Sequence, residues 1–131
     1  MRKLILLLSL SIVSYVCAEE SIGKHEAKEW LNIIDSGRYI ESWQKSDILF
    51  QQKLTLNKWQ GALKSVRSPL GKVISRAELS RNLHSSLTGI PNGEYIIIQY
   101  KTEFANQKLS TEILTLRKSR GQWRPVGYFI R

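Results

Sequence analysis

The chain has 131 residues, 20 of them Lys or Arg against 11 Asp or Glu, for a formal net charge of +9. That length suits one domain with one core and no covalent staples, and a single cysteine excludes an internal disulfide and thiolate metal clusters. The basic excess offers weak attraction to anionic surfaces, which would fade with salt, and otherwise serves solubility.

Residues 1–18, MRKLILLLSLSIVSYVCA, read as a secretory signal peptide. Arg2 and Lys3 precede an apolar stretch from Leu4 to Val13, and Val16-Cys17-Ala18 leads into Glu19 and Glu20. A membrane span needs roughly 20 apolar residues, and this stretch meets serines, a tyrosine and charges too early. Cleavage after Ala18 discards Cys17. The competing reading acylates Cys17 as the first residue of a lipoprotein, but Ser14-Tyr15-Val16 lacks the Leu and small residues usual before such a site. The expected product is a periplasmic or secreted protein with a single α+β domain over residues 19–131.

From Ser21 to Ser36, Ala27, Trp30, Leu31 and Ile34 fall on one helical face, and Gly37 stops that helix. Asp35, Ser36 and Arg38 read as the polar end of the helix, with Asp35 solvated or bonded to nearby backbone. Tyr39 and Trp43 begin a short second helix; Ser46-Asp47 either ends it or caps the next segment. A third helix is predicted from about Phe50 to Val66, with Leu56, Trp59, Leu63 and Val66 along one side, and Pro69 and Gly71 end it.

After Gly71 the period changes to two. Lys72 to His84 alternates weakly, with Val73, Ser75, Ala77, Leu79 and Leu83 opposite Arg76, Glu78 and Ser80. A Pro-Asn-Gly turn then opens a strand from Glu94 to Phe104, succeeded by strands in LSTEILTLR and QWRPVGYFIR. Short polar links make these three antiparallel neighbours, so helices precede an antiparallel sheet in an α+β domain. Ile96, Ile98, Tyr100 and Phe104 point one way, and Tyr95 and Ile97 the other. A strand apolar on both faces implies either a sheet that curls over both sides or a face that meets another subunit, and a homodimer is one reading of it.

Few residues carry catalytic or ligating chemistry. His25 and His84 lack metal-ligand spacing and read as surface residues; no G-x-S-x-G and no glycine-rich phosphate loop occurs. Neither a metal nor a cofactor is expected. The many aromatics are first of all core, and no nucleic-acid-binding signature accompanies the basic residues, so no nucleic-acid partner is expected. Glu112 shares a strand face with Leu114 and Leu116, so an inward face would bury its carboxylate. Arg67 or Arg76 then supplies an ion pair, or the enclosed acid has a raised pKa.

Several segments together resemble a family of exported bacterial proteins known as domain of unknown function 4019. They are Trp30-Leu31 with IDSGRYIESW after it, Trp59 with SVRSPLG, GIPNGEYIIIQYKTEF, and Thr111-Glu112 leading to GQWRPVGYFIR. The resemblance implies export and a cystatin-like or nuclear-transport-factor-2-like cone, with N-terminal helices packed on a curved four-stranded antiparallel sheet. It assigns no activity, ligand or catalytic residue. Pro125 departs from the strand-like residue expected there, and suits an edge strand or a bulge.

These readings support two functions. The first is a non-catalytic module that binds a small ligand or protein partner, in the cleft between helices and sheet or on the outer sheet face. Its candidate binding residues are Tyr39, Trp43, Arg67, Tyr100 and Glu112. The alternative is a small cone-fold enzyme, isomerase- or dehydratase-like, with Glu112 as acid or base and Tyr39 or Tyr100 as hydrogen-bond donor. A deep pocket holding Glu112 without a basic partner favours the enzyme; a filled core with Glu112 paired to arginine removes it.

Overall fold

The computed structural model describes residues 21–131. The signal-peptide reading, with its cleavage after Ala18 and the fate of Cys17, lies outside the described residues.

Helix α1, Lys24–Asp35, buries Ala27, Trp30, Leu31, Ile33 and Ile34. It begins at Gly23, where φ is +67° and a Cβ would stand 2.8 Å from the Leu116 Cδ1, so both the backbone and the packing require glycine. It ends at Gly37, φ +75°. There the Gly37 and Arg38 amides donate back to the carbonyls of Ile34 and Ile33 at 2.9 and 3.1 Å, the paired bonds that close a helix through a left-handed residue.

Helices α2, Tyr39–Gln44, and α3, Ile48–Lys53, are short and joined by a bonded corner. The Asp47 carboxylate accepts the Leu49 amide at 2.9 Å as N-cap of α3. The Gln51 side-chain amide donates to the carbonyls of Trp43, Gln44 and Ser46, at and beyond the end of α2.

The predicted helix from Phe50 to Val66 is two helices, α3 and α4, the latter Leu56–Val66. Leu54 is extended, the Thr55 hydroxyl caps α4 by accepting the Lys58 amide at 3.3 Å, and the Trp43 Nε1 donates to the Leu54 carbonyl at 2.8 Å. A capping threonine and an indole competing for a backbone carbonyl outweigh the helical period. Trp59 and Leu63 are buried as expected, whereas Val66 is exposed and Arg67 is buried at the end of the helix. A 3₁₀ turn, Ser68–Leu70, leads to the sheet.

Strands β1 (Val73–His84), β2 (Tyr95–Phe104), β3 (Gln107–Ser119) and β4 (Gln122–Ile130) pair antiparallel in the order β1-β2-β3-β4. Every ladder contains a register shift, and such irregularities bend a sheet. Pro125 lies on edge strand β4 beside one of them, as its chemistry requires, and its carbonyl accepts the Asp47 amide at 2.8 Å. In β1 the two shifts, at Val73/Ser75 and Glu78/Ser80, break the predicted alternation. Arg76 is largely enclosed while Leu79 and Leu83 stay exposed, because the buried partners available to this strand are carboxylates rather than apolar groups.

The core lies between the helices and one sheet face, where Ile96, Ile98, Leu114, Leu116 and Tyr128 meet Ala27, Trp30, Leu31, Ile34, Phe50, Trp59 and Leu63. Trp30 stacks on Trp59 with centroids 6.1 Å apart, and Tyr128 and Phe50 meet this pair edge-on at 5.5 and 4.9 Å. Both indoles are satisfied by one residue of α2. Trp30 Nε1 donates to the Ser42 carbonyl and Trp59 Nε1 to the Ser42 hydroxyl, each at 2.9 Å. The Ser42 hydroxyl in turn donates to the Tyr39 carbonyl.

On the other face Tyr95 is fully buried, its hydroxyl donating to the Pro91 carbonyl at 2.5 Å and its ring lying against Gly93. The turn before β2 thus covers one end of that face. Ile97 and Ile113 stay half-buried there, and Phe129, paired with Ile113 across the strands, is 67% exposed. Among the described residues no helix is long and apolar enough to cross a membrane.

Candidate functional site

Glu112 is fully buried on β3, on the face shared with Leu114 and Leu116. Its Oε1 accepts from Arg76 Nε at 2.6 Å and from the Thr102 hydroxyl at 2.5 Å. Its Oε2 accepts from Arg76 Nη2 at 3.1 Å and from the Tyr128 hydroxyl. A carboxylate offers about four acceptor sites, and four donors meet this one.

The network continues toward solvent. Arg76 also donates to the two carboxylate oxygens of Asp35 at 2.8 and 3.1 Å, and Arg67 Nη2 donates to Asp35 at 3.2 Å. Arg67 further donates to the Gly71 carbonyl at 2.6 Å and lies 4.7 Å over the Phe104 ring. Two cations and two anions thus join the end of α1 and the end of α4 to β1 and β3. Burial by itself disfavours the Arg76 cation, but hydrogen bonds and charge from Asp35 and Glu112 outweigh it and hold the guanidinium above its usual pKa. Burial, then the Glu112 charge and hydrogen bond, push the Tyr128 phenol well above its ordinary value.

The sequence-predicted residues divide between this network and the surface. Glu112 and Arg67 belong to it, with Arg76 the direct partner of Glu112 and Arg67 joined through Asp35. Tyr100 stands opposite Glu112 in the β2–β3 register and opposite Glu78 in the β1–β2 register. Its phenol is pushed up to about 12, by burial first and the Glu78 charge next. Tyr39 and Trp43 lie apart from them. Tyr39 hydrogen-bonds Ser68 at 2.8 Å beside a shallow surface between α2 and α4, and Trp43 is the clamp on Leu54.

Asp35 corrects the reading of a solvated helix end, for it carries two ion pairs. The signal was present: Ala27, Leu31 and Asp35 are spaced four apart on the buried side of α1. A second such pair, buried Asp47 with Arg117 Nη1 at 3.2 Å, had no comparable signal, since its members are far apart in sequence.

The helix–sheet layer leaves an open groove of about 490 Å³ between α1, α2 and β4. From α1 come Glu26, Glu29, Trp30, Asn32 and Ile33; from the region of α2, Arg38, Glu41, Gln44 and Lys45. Strand β4 contributes Gln122, Trp123, Arg124 and Pro125. None of the five candidate binding residues lines it. Glu41 is paired with Arg38 at 2.7 Å and with Lys45 at 3.6 Å, and Glu29 with His25 at 3.3 Å. Among the described residues no group of His, Cys, Asp and Glu is arranged to hold a metal ion.

Fold and site define an α+β protein in which, among the described residues, four α-helices pack on one face of an open antiparallel sheet, pinned by a buried ionic network and bordered by an open groove. Its residues 26–128 match the family described as protein of unknown function (DUF4019), and the chain belongs to that family. No curated protein matches the chain.

Proposed function

We infer that the protein is a non-catalytic binding module, exported after removal of residues 1–18, whose single domain takes its ligand in the groove between α1 and β4. The observation that carries this reading is the saturation of Glu112. A general base needs a free acceptor and a general acid needs a proton to give, whereas each oxygen of Glu112 already accepts two hydrogen bonds and none of its surface reaches solvent. Tyr100 beside it holds its proton to about pH 12, which suits a buried structural phenol better than an acid working near neutrality. The groove, in contrast, is open and lined by acidic, basic, amide, aromatic and aliphatic side chains.

Amide and indole chemical-shift mapping against a small-molecule fragment library tests the assignment. A binding module concentrates its shifts on Glu29, Ile33, Gln122 and Trp123. Shifts centred on Glu112 and Tyr100, or conversion of any fragment, would return the chain to the enzyme reading. Mass spectrometry of the protein recovered from its native cell envelope reads the export step; an intact residue 1 rules out cleavage.

A further inference from the structure

We propose that the groove between α1 and β4 binds a neutral saccharide, with Trp123 as the stacking platform; this rests on the binding-module reading above. The four tryptophans divide by what their indole N–H does. Trp30, Trp43 and Trp59 each donate to a partner within the protein, at 2.8 to 2.9 Å. The indole N–H of Trp123, half-buried on the groove wall, has no hydrogen-bond partner among the described residues. A ligand that covers this ring must therefore offer an apolar face to the indole and an acceptor to its N–H. A pyranose ring does both, since one face is a patch of C–H groups and its rim is hydroxyl oxygens.

The rest of the lining selects within that class. Asn32, Gln44 and Gln122 place planar amides around the groove, and Glu26 adds a carboxylate with no ion-pair partner among the described residues. The amides both donate to and accept from vicinal hydroxyls, and the carboxylate accepts from them. Three carboxylates, Glu26, Glu29 and Glu41, face three cations, Arg38, Lys45 and Arg124, so the groove is electrically balanced in a chain whose net charge is +9. That balance disfavours polyanions and favours an uncharged ligand. A proline-rich peptide would also use an indole N–H, but it docks between several exposed aromatics. Here Trp123 is the one half-exposed aromatic of the lining, Trp30 being buried. The volume, about 490 Å³, suits a short oligosaccharide.

Calorimetric titration of the whole protein with neutral tetrasaccharides of β-linked N-acetylglucosamine, β-linked glucose and α-linked glucose tests this, beside heparin and a polyproline peptide. At least one neutral tetramer binds, with an affinity that raised salt leaves unchanged. Trp123→Phe keeps a ring but loses the N–H and weakens binding about tenfold, the scale of one hydrogen bond. Glu26→Gln and Gln122→Ala, both on the groove rim, also weaken it, and they keep the test valid if a change at Trp123 disturbs folding. No binding by any neutral tetramer at millimolar concentration overturns the proposal, as does binding indifferent to all three substitutions. Binding of the peptide or heparin alone overturns the ligand class while leaving the binding module intact. Cleavage of a bound sugar keeps the ligand and removes the non-catalytic reading.

Discussion

Ser42 and Arg76 show how much of this structure depends on single polar side chains inside it. Ser42→Ala removes the acceptor of the Trp59 indole in a fully buried place, at a cost of about 1–3 kcal/mol measured by urea unfolding. Arg76→Met leaves Glu112 and Asp35 without their shared cation and should lose about 3–5 kcal/mol. Adding Glu112→Gln should recover part of that loss, and a double-mutant cycle in which the two losses simply add would refute the coupling. Tyr100 gives the pH dependence. Its folded pKa, about 12, exceeds the ordinary value of 10.0, so above pH 10 the unfolded chain releases a proton that the folded one keeps. Stability carried by Tyr100 is complete below pH 10 and falls as pH rises toward 12. Tyr100→Phe should therefore flatten the alkaline limb of a melting-temperature profile while leaving the neutral region nearly unchanged.

At the level of elements, the stops were easier to read than the continuities. Gly37 ends α1 as expected from its place just after the apolar period, and Gly37→Ala should cost about 1 kcal/mol for a positive φ with open space around it. Gly23→Ala should cost more, because its methyl also meets the buried Leu116 side chain. Equal melting temperatures for the two variants would contradict that packing. The break between α3 and α4 was not legible, since Leu54-Thr55 lies within an unbroken helical period. What decides it is the Thr55 cap together with a bond from Trp43, eleven residues before Leu54. The alternation of β1 misled for a related reason: bulges reset the period, and an arginine is drawn inward by carboxylates on α1 and β3.

At the scale of the molecule, the sheet face turned away from the helices is covered by the described residues only at its Tyr95 end. Phe129 beside Ile113 and Ile97 forms an apolar strip there, and a second copy packing on it would be the homodimer that is one of the two readings of β2's two-sided pattern. Sedimentation velocity over a wide concentration range should then show self-association that Phe129→Asp abolishes; a monomer throughout removes the dimer. By itself the sequence determined the α+β order and the antiparallel neighbours, because period and turns act over short spans of chain; for Glu112 it left open whether its face is inward and whether Arg67 or Arg76 pairs with it, which the fold decided in favour of Arg76. Only the tertiary structure decided that Asp35 joins Arg67 to Arg76, that Ser42 serves two tryptophans, and that the open groove belongs to Trp123 rather than to Tyr39 and Trp43. These depend on contacts between residues from 12 to 41 positions apart, where the geometry of packing, not local preference, chooses the partner.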